Sequence, residues 1–134
     1  MNDTLKEIER FHGHLGPFAV IGYKMGLVAN EELGNDPFEK EVIVYTGTTP
    51  PISCIIDGIQ LSTKCTLGKG NIKAIDKQMP KADFYLKQKP DEKITITLKP
   101  EIKKEIDTTL SDENIVQYAE NIWNKKNEDL FLIS

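Results

Sequence analysis

FHGHLGPFAVIGYKMGLVANEELG, residues 11–34 of a 134-residue chain, sets both histidines one residue apart and runs them into a Gly-Pro step and a helical pattern. Pro17 disfavours helical geometry at Gly16 but suits the first turn of a helix, so the spacing predicts a helix from about Pro17 to Gly34. Phe18, Ile21, Met25, Val28 and Leu33 keep helical periodicity along it, while Gly22 and Gly26 open a groove of small residues. Such a groove suits either another helix of the same chain or a second copy of the protein, and the latter reading makes it a homodimer. Upstream, Leu5, Ile8 and Phe11 space apolar groups by three and predict a short helix over 3–11 capped by Asp3 or Thr4. Residues 12–16 fall outside both helices.

Working outward, EVIVYTG (41–47) reads as a buried strand. A turn follows, then a helix from about Ser53 to Thr63 and the Gly-rich stretch TLGKGN (66–71). NIKAID (71–76), KADFYLKQ (81–88) and KITITLK (93–99) alternate apolar with polar residues, which predicts an antiparallel meander over 71–99. SDENIVQYAENIWNKKN (111–127) aligns Ile115, Val116, Ala119, Ile122 and Trp123 on one helical stripe behind a Ser111 or Asp112 cap. The expectation is one α+β domain over 1–134, a mixed or antiparallel sheet flanked by helices, which suits a chain of this length.

Composition removes several functions. With 17 basic and 21 acidic residues the net charge is −4, so no basic stripe is available to grip nucleic acid. No apolar run approaches the roughly 18 to 20 residues that span a bilayer, and MNDTLKEIERF is charged and amphipathic, unlike a signal peptide. The expected location is cytoplasmic, away from membranes. Two cysteines, Cys54 and Cys65, make no disulfide framework and read as free thiols or metal ligands.

The chemistry rests on few residues. If residues 12–14 are extended, a period of two points His12 and His14 to one side, and two neutral imidazoles there suit zinc or another borderline divalent ion. On a helix they would stand about 200° apart. Cys54 falls at a helix start, where oriented N–H groups lower a thiol pKa; a small buried hydrophobe is the competing reading. Asp57, in the same first turn, serves either as a dipole-compensating carboxylate or as a general base. Cys65 follows Cys54 by eleven residues, ~16 Å along a continuous helix, too far to share an ion unless the helix breaks early, near Ser62 and Thr63. TLGKGN suits an anion-binding nest or, lacking the full spacing of a Walker loop, a tight connecting turn.

Together, FHGHLGPFAVIGYKMG and CIIDGIQLSTKCTLGKGN resemble the E-subunit family of formylmethanofuran dehydrogenase, most specifically over 11–26 and 54–71 and continuously to about residue 99. The resemblance implies a compact, usually dimeric α+β domain in which the paired-histidine loop and the cysteine-aspartate helix line one metal or redox cleft. It carries His12, His14, Cys54 and Asp57 to that cleft, and places Cys65, Thr66, Gly68, Lys69 and Asn71 in the second motif. Cys54 and Asp57 are then candidate catalytic groups, and Thr66, Lys69 and Asn71 candidate cofactor-binding groups. His12, His14 and Cys54 are the candidate ligands of a divalent metal, zinc first, with an open position suited to Lewis-acid or bound-water chemistry. The family commonly has cysteine where this chain has Gly16 and glycine where it has Lys64. The chain ends soon after the Trp123 helix without the cysteine pairs of the zinc ribbon found in some members, so the resemblance is to the core domain. It implies either metal-assisted or redox chemistry in one-carbon metabolism, of the kind used in methanogenesis, or a non-catalytic accessory subunit. In the latter case the partner is a molybdenum or tungsten formylmethanofuran dehydrogenase-type complex.

Overall fold

The computed structural model describes residues 1–134. Helix α1 (Asp3–His12) is capped by Asn2, whose Oδ1 accepts from the Leu5 N–H at 2.8 Å, so Asp3 and Thr4 lie inside the helix and are not its cap. Leu5 and Ile8 are buried as their spacing requires, while Phe11 at the helix end is exposed. Helix α2 (Pro17–Leu33) starts at the proline and is buried on most of its circumference, because it is the central helix of the molecule.

Strand β1 (Lys40–Val44) leads through a turn to helix α3 (Cys54–Thr63). Helices α2 and α3 pack backbone against backbone. A Cβ on Gly22 would sit 2.0 Å from the Ile55 carbonyl oxygen, one on Gly58 2.0 Å from that of Ala19, and one on Gly26 1.8 Å from Ser62 Oγ. The small-residue groove is therefore filled by α3 of the same chain, and it offers no face to a second copy.

Strands β2 (Ile72–Ala74), β3 (Lys81–Leu86), β4 (Ile94–Leu98) and β5 (Phe131–Ile133) complete a five-stranded sheet in the order β2-β1-β3-β4-β5. The expected meander over 71–99 is corrected by the pairing: β2 joins β1 in parallel, and of the three strands in that stretch only β3 and β4 pair with each other, antiparallel. The cause lies in residues 75–80, which wrap around the end of β1. The Tyr45 carbonyl accepts from the N–H groups of Lys77 and Met79, and the Gly47 N–H donates to Ile75. The chain thus leaves β2 on one side of β1 and enters β3 on the other.

Helices α4 (Pro100–Thr109), α5 (Ile115–Asn124) and the single turn α6 (Asn127–Leu130) follow. Helix α5 begins at Ile115, four residues after Ser111. The intervening residues form a turn closed by Asn114, whose Oδ1 accepts from the Ser111 N–H. Its far end is closed by Lys24 of α2, a buried lysine whose Nζ donates to the carbonyls of Ile122, Trp123 and Lys125. A cation there satisfies the orphan carbonyls and the negative end of the helix dipole. Val42, Val44, Ala82, Phe84, Ile96 and Leu98 bring one sheet face into a single cluster of 25 buried apolar residues shared with the helices. No helix is long and apolar enough to cross a membrane.

Asp83 alternates with Ala82 and Phe84 and so falls on the other face of the sheet, only 3% exposed. Burial pushes its carboxyl up, but hydroxyl donors Thr95 and Tyr45, each at 2.6 Å, with Lys93 and Lys81 nearby, outweigh burial and hold it below the usual range. The same bond to Asp83 pushes the Tyr45 hydroxyl up to about 12. Because the folded pKa is the lower one, this carboxylate contributes stability fully above its unfolded value, about 3.9. That stability is lost as pH falls through the folded value. Urea midpoints measured from pH 7 down to pH 2 should fall steeply below about pH 4. Asp83→Asn should be less stable at pH 7 and flatter over the acid limb; an unchanged acid limb would contradict this account.

Candidate functional site

The two histidines reach one place by a route other than an extended strand. His12 is the last residue of α1, and Gly13 follows in the left-handed region at φ 100°, which glycine adopts without penalty. The chain turns there, and the rings of His12 and His14 come to stand 4.9 Å apart, inclined by 38°. The shared side expected of an extended stretch is thus produced by a helix end and a glycine turn.

Helix α3 brings the second half. His12 Nδ1 lies 2.6 Å from Asp57 Oδ2, in the first turn of α3. That contact fixes the ring and leaves Nε2 as its free nitrogen, the pattern by which a carboxylate orients a metal-binding imidazole. Cys54, at the first position of α3, lines a cavity of about 110 Å³ with His12, His14 and Gly16. A Cβ at Gly16 would lie 3.0 Å from His14 Cε1, so a side chain at this position would press on the His14 ring. The three donors share the cavity without being drawn into a ligating group, so an ion would have to gather them.

The expectation of a lowered Cys54 pKa is corrected. Burial and the neighbouring Asp57 charge push the thiol up, against a smaller pull from the backbone N–H. Burial also pushes Cys65 up. Cys54 remains the more accessible of the two, since Cys65 is fully buried with its Sγ against the carbonyls of Pro37 and Lys40. Alkylation of the metal-free protein should therefore label Cys54 first, for reasons of access and not of acidity. Equal rates, read by mass spectrometry, would contradict the placement of Cys65 in the core.

The second motif lies apart from this cavity. From Cys54 to Thr63 α3 spans ~14 Å, and Thr66, Lys69 and Asn71 follow its far end. Asn71 is buried. Its Oδ1 accepts from the Thr66 N–H, and its side-chain amide donates to Pro37. Thr66 Oγ1 accepts from the Lys69 N–H, and the Lys69 ammonium stands 5.6 Å from the centre of the Phe38 ring. The structure thus brings His12, His14, Cys54 and Asp57 together and sets Thr66, Lys69, Asn71 and Cys65 in a connection that joins α3 to β2. Leu110 and Ile115, flanking the turn between α4 and α5, also line the cavity. Sequence reasoning misses Leu110 because it places no element over 100–110, although Pro100 with Ile102 and Ile106 four apart is a readable helix start.

A paired-imidazole turn docked on a cysteine-aspartate helix, in an α+β domain, is the arrangement on which the comparison with known proteins falls. Residues 11–132 match the family described as "FmdE, Molybdenum formylmethanofuran dehydrogenase operon", and the chain belongs to that family. It is also similar to a protein of Archaeoglobus fulgidus named "Probable S-adenosyl-L-methionine-binding protein", 32% identical over 77 residues. That likeness covers 54% of this chain and 20% of the other protein.

Proposed function

We propose that this domain binds a divalent metal ion, zinc first, through His14, Cys54 and the free nitrogen of His12. The observation that carries the reading is the short His12 to Asp57 contact at the rim of a cavity that also holds an imidazole and a thiol. Such an ion would supply Lewis acidity at a position left open by the missing fourth protein ligand. The chain's own groups have separate tasks. Asp57 orients His12 by holding its Nδ1. Phe18, Leu110 and Ile115 restrict water at the cavity wall. Cys54 carries a proton when free and must release it to bind, so affinity should rise with pH. The role is cytoplasmic, in the one-carbon metabolism for which the family is named.

A second reading is favoured by Gly16, where the family commonly places cysteine. The domain is then an accessory component of a formylmethanofuran dehydrogenase-type complex that keeps the fold and has lost the metal. Titrating purified protein with zinc at pH 8 and pH 6 separates the two. One equivalent bound at micromolar supply or tighter, weaker at pH 6, supports the metal site, and no binding supports the accessory reading. S-adenosylmethionine in the same titration tests the ligand that the Archaeoglobus protein's name suggests; heat from it alone, with none from zinc, would displace the metal reading.

A further inference from the structure

A larger cavity, about 290 Å³, adjoins the histidine-cysteine cleft, and Phe18, Pro50 and Pro51 line both. Its polar wall is built by the loop that joins β2 to β3. Thr46 and Asp76 form an isolated bridge, and the Tyr45 carbonyl holds Lys77 and Met79 by their N–H groups, which fixes Asp76 and Gln78 on the cavity side of that loop. Two backbone features belong to this wall. Gly47 sits at φ 68°, where a Cβ would stand 2.5 Å from Asp76 Oδ1, so a side chain there would displace the carboxylate from its present position. Gln78 holds φ 51°, one of two non-glycine residues in the left-handed region, a conformation that costs energy and is retained where surrounding structure fixes it.

The charges are unequal. Across the cavity Lys103 pairs with Asp107, one turn away on α4. Asp76 has no such partner, and two carboxylates against one ammonium leave the cavity with one negative charge. Phe18 and the two prolines supply apolar surface and Asp76, an exposed carboxylate without an ion-pair partner, supplies charge, a combination that suits a small apolar molecule bearing a cation.

We infer that this cavity is the substrate compartment of the His12, His14 and Cys54 cleft, and that it selects an organic molecule carrying a protonated amine. Asp76 receives the ammonium group and Gln78 supplies a further polar contact. The apolar body lies over Phe18, Pro50 and Pro51, with the opposite end of the molecule toward Cys54. The direction of that far end rests on the metal-site reading; the amine selection does not.

Benzylamine, benzyl alcohol and benzoate, equal in apolar body and different in charge, are suitable probes. Titrated into the metal-free full chain and followed by two-dimensional amide NMR, benzylamine should shift Thr49, Asp76 and Gln78, with the other two binding at least about tenfold more weakly. Asp76→Asn, an exposed substitution, should weaken benzylamine by about tenfold and leave zinc affinity unchanged. Benzoate binding as well as benzylamine, shifts confined to other residues, or an unaltered Asp76→Asn protein would overturn the inference. In protein loaded with cobalt(II), the ring resonances of bound benzylamine should broaden; sharp resonances would overturn the shared-compartment arrangement. If cobalt fails to bind, the metal reading falls, and amine selection stands or falls on the metal-free titration alone.

Discussion

Alanine at Gly58 or Gly22 should destabilise the domain by about 3 kcal/mol, the largest stability loss expected of any single added methyl group here. In each case the new Cβ would stand 2.0 Å from a backbone carbonyl oxygen of the facing helix, and neither carbonyl can swing aside as a side chain could. Relief requires α2 and α3 to separate, which opens the middle of the core, since Ala19, Ile21, Ile55 and Ile59 flank the contact and are fully buried. For a domain of this size that loss lowers the melting temperature by roughly 10 °C. Gly68→Ala is the matched control, because its Cβ would meet nothing closer than Thr66 Oγ1 at 4.0 Å; it should change stability by less than about 0.5 kcal/mol. Urea denaturation of the three variants measures the difference, and equal midpoints would refute the close helix packing.

The second large effect concerns the metal. On the proposed site, His14→Ala should weaken zinc binding by about a hundredfold, because it removes one of the three proposed donors and nothing else in the cavity replaces it. Asp57→Asn should weaken it by about tenfold, through the loss of the carboxylate that orients His12. Gly16→Cys should act in the opposite sense. Its Cβ would lie against the His14 ring, which is exposed and free to yield a few tenths of an ångström, and a thiol there enters the same cavity. A fourth donor should tighten zinc by about tenfold or more and close the exchangeable position. Competition titrations against a chromophoric chelator give all three values. If His14→Ala and Gly16→Cys both leave affinity unchanged, the histidines are remnants on a scaffold, and the accessory reading takes precedence.

Which parts of this were legible in the sequence follows from how local their causes are. Pro17 and the apolar period after it define α2 by themselves, because a proline at the first turn and a 3.6-residue repeat need no partner to be read. The partner of Gly22 and Gly26 was not legible: a groove of small residues records that a backbone comes close, and says nothing about whose backbone it is. The parallel placement of β2 was hidden for a related reason. Three residues alternate too briefly to reveal a neighbour, and the hydrogen bonds that steer the chain around β1 involve main-chain groups of Tyr45 and Gly47, which any residue carries. The strand β5 is equally short, and FLI takes its register only from β4.

At the site, residue types pointed to candidate donors but not to the geometry. His12 and His14 converge because a helix ends between them at a left-handed glycine, where the sequence suggests an extended chain. Lys64 occupies the corresponding left-handed position at the end of α3, φ 61°, where glycine would sit without strain. The Cys54 thiol shows the opposite lesson. A helix start predicts a lowered pKa, but the backbone's pull is small beside burial and the charge of Asp57 one turn on, quantities fixed only by packing.

The central claim is that one divalent ion is held by groups from two segments far apart in the chain, the turn at His12 and His14 and the start of α3 at Cys54. A crystal of the zinc-loaded protein, with diffraction collected on both sides of the zinc absorption edge, tests it most directly. The account predicts one anomalous peak in the cavity bounded by Gly16 and Cys54, within bonding distance of His14, Cys54 Sγ and His12 Nε2, and one coordination position without a protein ligand. A peak beside Cys65, or none in the histidine-cysteine cavity, would contradict it.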